Sequence, residues 1–193
     1  YMRNFKMRLQ EQYFEDFIQL NSNPVFVDGG GFDGQTTLMF TKLYPEYKKV
    51  SFFEPNIDML NKSQQLLKDF KNISFINKGI WHKKDILNFD NSLGNASKIN
   101  TDGTTRIEVI SLDEIINDEI DFIKFDIEGA EYKALEGAKN LIMKYKPKMA
   151  ICVYHNSLDY IRIPKLVLSY NPDYNLYFRH YTQGICESVM YFV

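Results

Sequence analysis

The chain has 193 residues, 45% of them hydrophobic, with 23 basic against 25 acidic side chains and a formal net charge of -2. Domains run to roughly 100–200 residues, so a single domain over residues 1–193 is expected, and the near-neutral balance supplies no field for gripping a polyanion, which argues against nucleic acid as a partner. Cys152 and Cys186 show neither metal-binding spacing nor the density of a disulfide scaffold; buried free thiols and a reducing, cytoplasmic setting are expected. No apolar run reaches the ~20 residues of a membrane span, and Arg3, Lys6, Arg8 and Glu11 interrupt the opening apolar positions, so neither a signal peptide nor an anchor is expected.

Phe5, Leu9, Tyr13, Phe17 and Leu20 recur at three- and four-residue steps, which predicts an amphipathic helix within residues 1–23. Strand Val25–Val27, a glycine loop, and a helix with Met39, Phe40, Leu43 and Tyr44 on one face follow, with Pro45 as the stop. A second strand at 50–53, a helix carrying Met59, Leu66, Leu67 and Phe70, and a third strand at 73–76 repeat the pattern. Such alternation predicts a parallel sheet covered by helices. Over 81–110 the rhythm changes to short apolar pieces between turn signals at Asn91-Ser92, Gly94-Asn95 and Asp102-Gly103, a small β insert. Alternation resumes with Leu112 to Ile116, strand 122–125, and one helix carrying Ala134, Leu135, Ala138, Leu141 and Ile142. Strand 149–154, a short helix near 163–170, and two close strands at 176–178 and 189–193 complete the chain, the last pair suiting an antiparallel hairpin at a sheet edge.

Gly29, Gly31 and Gly34 satisfy GxGxxG spacing after a strand and before a helix, and Glu54 ends the next strand. Glycines let a ligand approach the helix start, and a carboxylate at the second strand end can accept from both hydroxyls of a ribose. Spacing alone fits NAD and S-adenosylmethionine equally. The loop Asp28-Gly29-Gly30-Gly31-Phe32-Asp33-Gly34 carries two carboxylates where a dinucleotide would place its pyrophosphate. S-adenosylmethionine has no phosphate and brings two cationic groups, so the charge favours the methyl donor.

The sequence resembles the FkbM-type methyltransferases, a branch of the class I S-adenosylmethionine enzymes. The resemblance rests on Val27 to Thr37, Phe53-Glu54-Pro55-Asn56, Lys78-Gly79-Ile80-Trp81 and Ser111 to Ile115. It rests also on Asp121 to Glu131, Leu135 to Ala138, and Lys146-Pro147 through Tyr154-His155. It implies a Rossmann-like α/β fold with a mostly parallel seven-stranded sheet, an antiparallel last strand and helices on both faces. It also implies methyl transfer, usually to an oxygen of a sugar, glycolipid or other small natural product. Gly30-Gly31 departs from the family pattern, which often has a small non-glycine residue there, and this loosens the loop.

Strand ends facing the cofactor crevice should present Asp126, Glu128 and His155. His155 is the natural general base because an ordinary imidazole titrates near neutrality, with Asp126 and Glu128 as alternative bases or orienting groups. Two carboxylates and a histidine are common without metal, and none is expected; Glu131 is explained by the dipole of the following helix. The expected cofactor contacts are the 28–34 loop, Glu54, Pro55 and Asp126, with Trp81 beside the adenine and Tyr13 closing over the donor. Two other readings share these features: an NAD-dependent oxidoreductase, and a non-catalytic nucleotide-binding partner module.

Overall fold

The computed structural model describes residues 7–90, 98–99 and 105–193. Its main sheet has seven strands: β1 (Val25–Gly29), β2 (Lys49–Phe53), β3 (Ile73–Ile76), β8 (Phe122–Phe125), β9 (Lys148–Cys152), β10 (Leu176–His180) and β11 (Ser188–Phe192). Their order is β10-β11-β9-β8-β1-β2-β3. Neighbours from β9 to β3 run parallel, whereas the last strand, β11, lies antiparallel between β9 and β10. The chain leaves β1 toward β2 and β3, then returns to lay β8 on the other side of β1. That reversal opens a crevice at the carboxyl ends of β1 and β8.

Successive residues of a strand face opposite sides, and the core divides accordingly. Val27, Phe53, Ile123 and Ile151 pack with Leu135, Ile142, Ile163 and Val167 on one face. These last come from α4 (Glu131–Glu136), α5 (Lys139–Tyr145) and α6 (Asp159–Tyr170). Phe26, Phe52, Phe122 and Ala150 pack on the other face with Phe40, Leu60 and Leu67, at α1 (Gln35–Leu43) and α2 (Ile57–Leu66). Asn56 caps α2, its side chain accepting from the amides of Asp58 at 2.9 Å and Met59 at 3.3 Å. Ser111 and Glu114 form a capping box for α3 (Leu112–Ile115). A second sheet, ordered β4-β7-β5-β6, holds β4 (Gly79–Ile80), β5 (Asp85–Asp90), β6 (Lys98–Ile99) and β7 (Thr105–Ile110). This is the expected insert; its predicted turns at Asn91-Ser92, Gly94-Asn95 and Asp102-Gly103 lie outside the described residues.

Several local expectations are corrected. Within residues 7–23 the structure has a single 3-10 turn, Leu9–Glu11, and no α-helix; Phe5 lies outside the described residues. Tyr13 takes a positive φ of 73°, which breaks helical continuation, and the apolar residues insert separately into the sheet face. Phe14 packs on Phe26, Phe40 and Phe122, and Phe17 stacks on Tyr177 at 4.4 Å. On α1 the buried stripe is Thr37, Phe40 and Thr41, leaving Leu43 exposed. The helix expected over 134–142 is two helices meeting at Gly137, where a Cβ would stand 2.2 Å from the Trp81 carbonyl. Helix α6 starts earlier than predicted, at Asp159. Cys152 is a buried free thiol, but Cys186 is exposed.

Candidate active site

A cavity of about 310 Å³ opens where β1, β2 and β8 end. Its apolar lining includes Phe53, Met59, Ile80, Ile107 and Val109. The last two come from β7, so the insert walls the cavity. Its charged lining is Glu54, Asp126, Glu128 and Glu187, with Lys78 as the cation.

The glycine loop is built by close approach. Gly30 has a φ of 71°, and a Cβ there would stand 1.9 Å from the Asp126 carbonyl oxygen. At Gly31 a Cβ would meet the Phe52 ring at 2.2 Å. The Gly30-Gly31 pair therefore does not loosen the loop; both positions are sterically required to be glycine. Most of the loop's amides are also committed. Gly30 and Gly31 each donate to the Phe53 carbonyl at 3.0 Å, and Gly34 donates to Gly31 at 2.9 Å. Phe32 donates to Glu54 Oε2 at 3.0 Å, and Gln35 to Asp33 Oδ1 at 3.2 Å. A pyrophosphate needs such donors free.

Asp28 does not line the cavity. It is fully buried and accepts from Thr37 Oγ1 at 2.7 Å and from Lys124 Nζ at 3.0 Å. Lys124, itself buried, also donates to the carbonyls of Gly29 at 3.2 Å and Gly30 at 2.7 Å. Burial alone would lower the lysine's pKa, but the charges of Asp28 and Asp126 outweigh it and keep the ammonium charged. Sequence reading missed Lys124, although a lysine inside the apolar run Phe122-Ile123-Lys124-Phe125 was itself a signal that a buried carboxylate lies across the sheet. The charge of Asp28 is spent on that lysine. Four of the loop's amides, at Gly30, Gly31, Phe32 and Gly34, are likewise committed within the protein.

Glu54 lines the cavity with its carboxylate fixed by the amides of Phe32 and of Asn56, the latter at 2.8 Å. Burial pushes its pKa up, partly offset by those amides. Of the residues expected to contact the cofactor, Gly30, Phe32, Glu54, Pro55 and Asp126 line the cavity. Asp28, Gly29, Gly31, Asp33 and Gly34 lie behind it or beside it, and shape it through the backbone. Trp81 is corrected to a position packed against Ile107 and Val109, outside the lining. Tyr13 likewise sits behind the wall, where its hydroxyl donates to Asp126 Oδ2 at 2.8 Å.

Asp126, Glu128 and His155 do converge. Asp126 also accepts from Tyr154 Oη at 3.1 Å. Burial would raise its pKa, but Lys124, His155 and the Tyr13 hydroxyl hold it below the usual carboxylate range. The His155 Nε2 lies 3.5 Å from Asp126 Oδ1 and 3.4 Å from Glu128 Oε2. Its Nδ1 sits 2.8 Å from Glu131 Oε1, which also accepts from the Ile127 amide at 2.9 Å. Glu131 is fully buried, so its part is to orient the imidazole, beyond the helix-dipole role read from sequence. Burial would push His155 down, but the Glu131 hydrogen bond and the charges of Glu131, Asp126 and Glu128 raise it to about 9. With only these acidic neighbours around it, the imidazole is biased toward its protonated form.

The strand order, the antiparallel β11 and a cavity at the strand ends define a class I methyltransferase fold. The chain belongs to the family described as methyltransferase FkbM domain, whose model matches residues 28–182. Members of this family take their methyl group from S-adenosylmethionine. Methyltransferase FkbM from Methylobacillus flagellatus KT superposes with a TM-score of 0.81 at 28% identity over 95% of this chain. The chain spans about half of that protein, 47% of its length. SMU.1697c from Streptococcus mutans, solved in complex with SAH, has a TM-score of 0.56 at 16% identity, covering 90% of each chain. Fibrillarin from Aeropyrum pernix, solved with natively bound S-adenosyl-L-methionine, has a TM-score of 0.57 at 11% identity, covering 91% of this chain and 70% of its own. Those two likenesses are of fold alone. No curated protein matches the chain. Among the described residues, no helix is long and apolar enough to cross a membrane.

Proposed function

We propose that this chain transfers a methyl group from S-adenosylmethionine to a hydroxyl of a sugar, glycan or other small natural product. The observation that carries the donor is the loop whose amides at Gly30, Gly31, Phe32 and Gly34 are already donated within the protein, beside a Glu54 carboxylate fixed at the cavity rim. Such a cradle suits a ribose diol without a pyrophosphate. In this reading the apolar lining at Phe53, Ile80, Ile107 and Val109 takes the adenine, and the sulfonium lies toward Asp126.

The acceptor belongs at the Asp126, Glu128 and His155 end. Methyl transfer is an in-line displacement in which holding donor and acceptor collinear contributes up to ~7–11 kcal/mol. The hydroxyl proton is lost at this acidic end, where Tyr13 and Tyr154 fix Asp126. Oxygen as the methylated atom and the sugar-like acceptor come from the family likeness. Calorimetric titration with S-adenosylhomocysteine should give one site per chain; a folded protein that binds none contradicts the reading. A mass-spectrometric screen of sugar nucleotides and glycans for a gain of one methyl then tests the acceptor class, and exclusive methylation of amines would refute the hydroxyl.

A further inference from the structure

The arrangement around His155 is unusual in what it leaves unpaired. The side chain is 5% exposed, and its Nε2 has no hydrogen-bond partner among the described residues. Its other nitrogen is fixed on a fully buried glutamate, Glu131. Nε2 points between two carboxylate oxygens, at 3.5 Å from Asp126 and 3.4 Å from Glu128. Both separations exceed the 2.7–3.2 Å of ordinary N–H···O bonds, so a proton at Nε2 is poorly served by either oxygen.

The two separations from Nε2 fit a metal, and one possible ligand atom from each of Asp126, Glu131 and His155 lies within 4.8 Å of the others. Bonds of about 2.1 Å meeting at a tetrahedral angle put neighbouring donor atoms ~3.4 Å apart. We propose that Asp126, Glu128 and His155 form a binding site for a divalent transition metal ion of the zinc class, with one coordination position left toward the cavity. A mixed nitrogen and oxygen donor set suits such ions better than magnesium or calcium. The surroundings match what such ligands need. Glu131 fixes the tautomer that leaves Nε2 as the ligating atom, as carboxylates behind metal-bound histidines do. The hydroxyls of Tyr13 and Tyr154 hold Asp126 in place while leaving Oδ1 a free lone pair. This proposal departs from the expectation from sequence that these residues work without metal.

Asp126 and Glu128 line the cavity, so the open position is available to an oxygen of the acceptor, whose hydroxyl would there lose its proton to water more readily. This last role rests on the methyl-transfer reading; the metal site does not.

The test uses the chelator-stripped, tag-free protein titrated with zinc against a chromophoric chelator, and with cobalt for its absorption spectrum. One zinc per chain and the intense visible band of four-coordinate cobalt are expected. His155→Ala and Glu128→Gln should each weaken zinc by more than about 100-fold, and Glu131→Gln by about 10–100-fold. Circular dichroism and S-adenosylhomocysteine titration of each variant report that it is folded. Absence of zinc binding, or binding unchanged in His155→Ala as at surface histidines, overturns the proposal. S-adenosylhomocysteine binding without zinc binding removes the metal alone, whereas zinc without S-adenosylhomocysteine removes the methyl-transfer reading and leaves the metal site.

Discussion

Replacing Lys124 with methionine keeps most of the side chain's volume while deleting its ammonium. That ammonium is 3% exposed and makes three bonds: to Asp28 Oδ1, the Gly29 carbonyl and the Gly30 carbonyl. Without it, the Asp28 carboxylate stays fully buried with only the Thr37 hydroxyl. The Gly29 carbonyl still accepts from the Asp126 amide at 3.1 Å, but the Gly30 carbonyl loses the donor it had. Removing one partner of a buried ion pair costs roughly 3–5 kcal/mol, out of the ~5–15 kcal/mol of a typical domain. At ~2–4 °C per kcal/mol for this size, the melting temperature should drop by roughly 6–20 °C. Urea unfolding of Lys124→Met, Asp28→Asn and the double variant measures the coupling. Asp28→Asn keeps an acceptor for Thr37 and removes the charge, so the double variant should be more stable than the two single losses added together. A single variant within ~1 kcal/mol of the native chain, or strictly additive losses, would refute the view that this pair ties β8 to the loop after β1.

Glu54→Ala should weaken S-adenosylhomocysteine binding by about 1.5–3 kcal/mol, the scale of hydrogen bonds to a charged group, or roughly 10–150-fold in Kd; calorimetry returning the native affinity would take Glu54 out of the cofactor site. Because burial raises the Glu54 pKa, affinity should be full where its carboxylate is ionised and decline as pH falls through a range above the ordinary glutamate value. That inflection should vanish in Glu54→Gln, and its persistence there would assign it to another group. Gly30→Ala forces a Cβ onto the Asp126 carbonyl at a left-handed φ and should abolish S-adenosylhomocysteine binding. Gly184→Ala, where a Cβ meets nothing within 4 Å, should change stability by less than ~0.5 kcal/mol; equal effects at the two positions would contradict the steric account of the loop.

What the residues determine by themselves is whatever depends on one element and its own periodicity. The strands at 73–76 and 122–125, the glycine loop between β1 and α1, the carboxylate closing β2 and the hairpin of β10 and β11 are all legible because backbone sterics and alternate burial act over a few neighbours. The pairing of Asp28 with Lys124, 96 positions apart, is different: it exists because β8 lies beside β1, which no local pattern states. The N-terminal segment shows the same limit. Its three- and four-residue spacing satisfies a helix, yet Phe14 and Phe17 dock separately on the sheet and on Tyr177, so tertiary contacts override the period. The strand-end position of His155 is legible, but its acidic surroundings are not, because Glu131, Asp126 and Glu128 reach it only through the folded chain. Sequence thus supplied the cradle and the acidic groups at its rim. The three-dimensional packing decided which of those charges are neutralised inside the protein and which are left facing the cavity, since that depends on distances between residues the chain brings together only on folding.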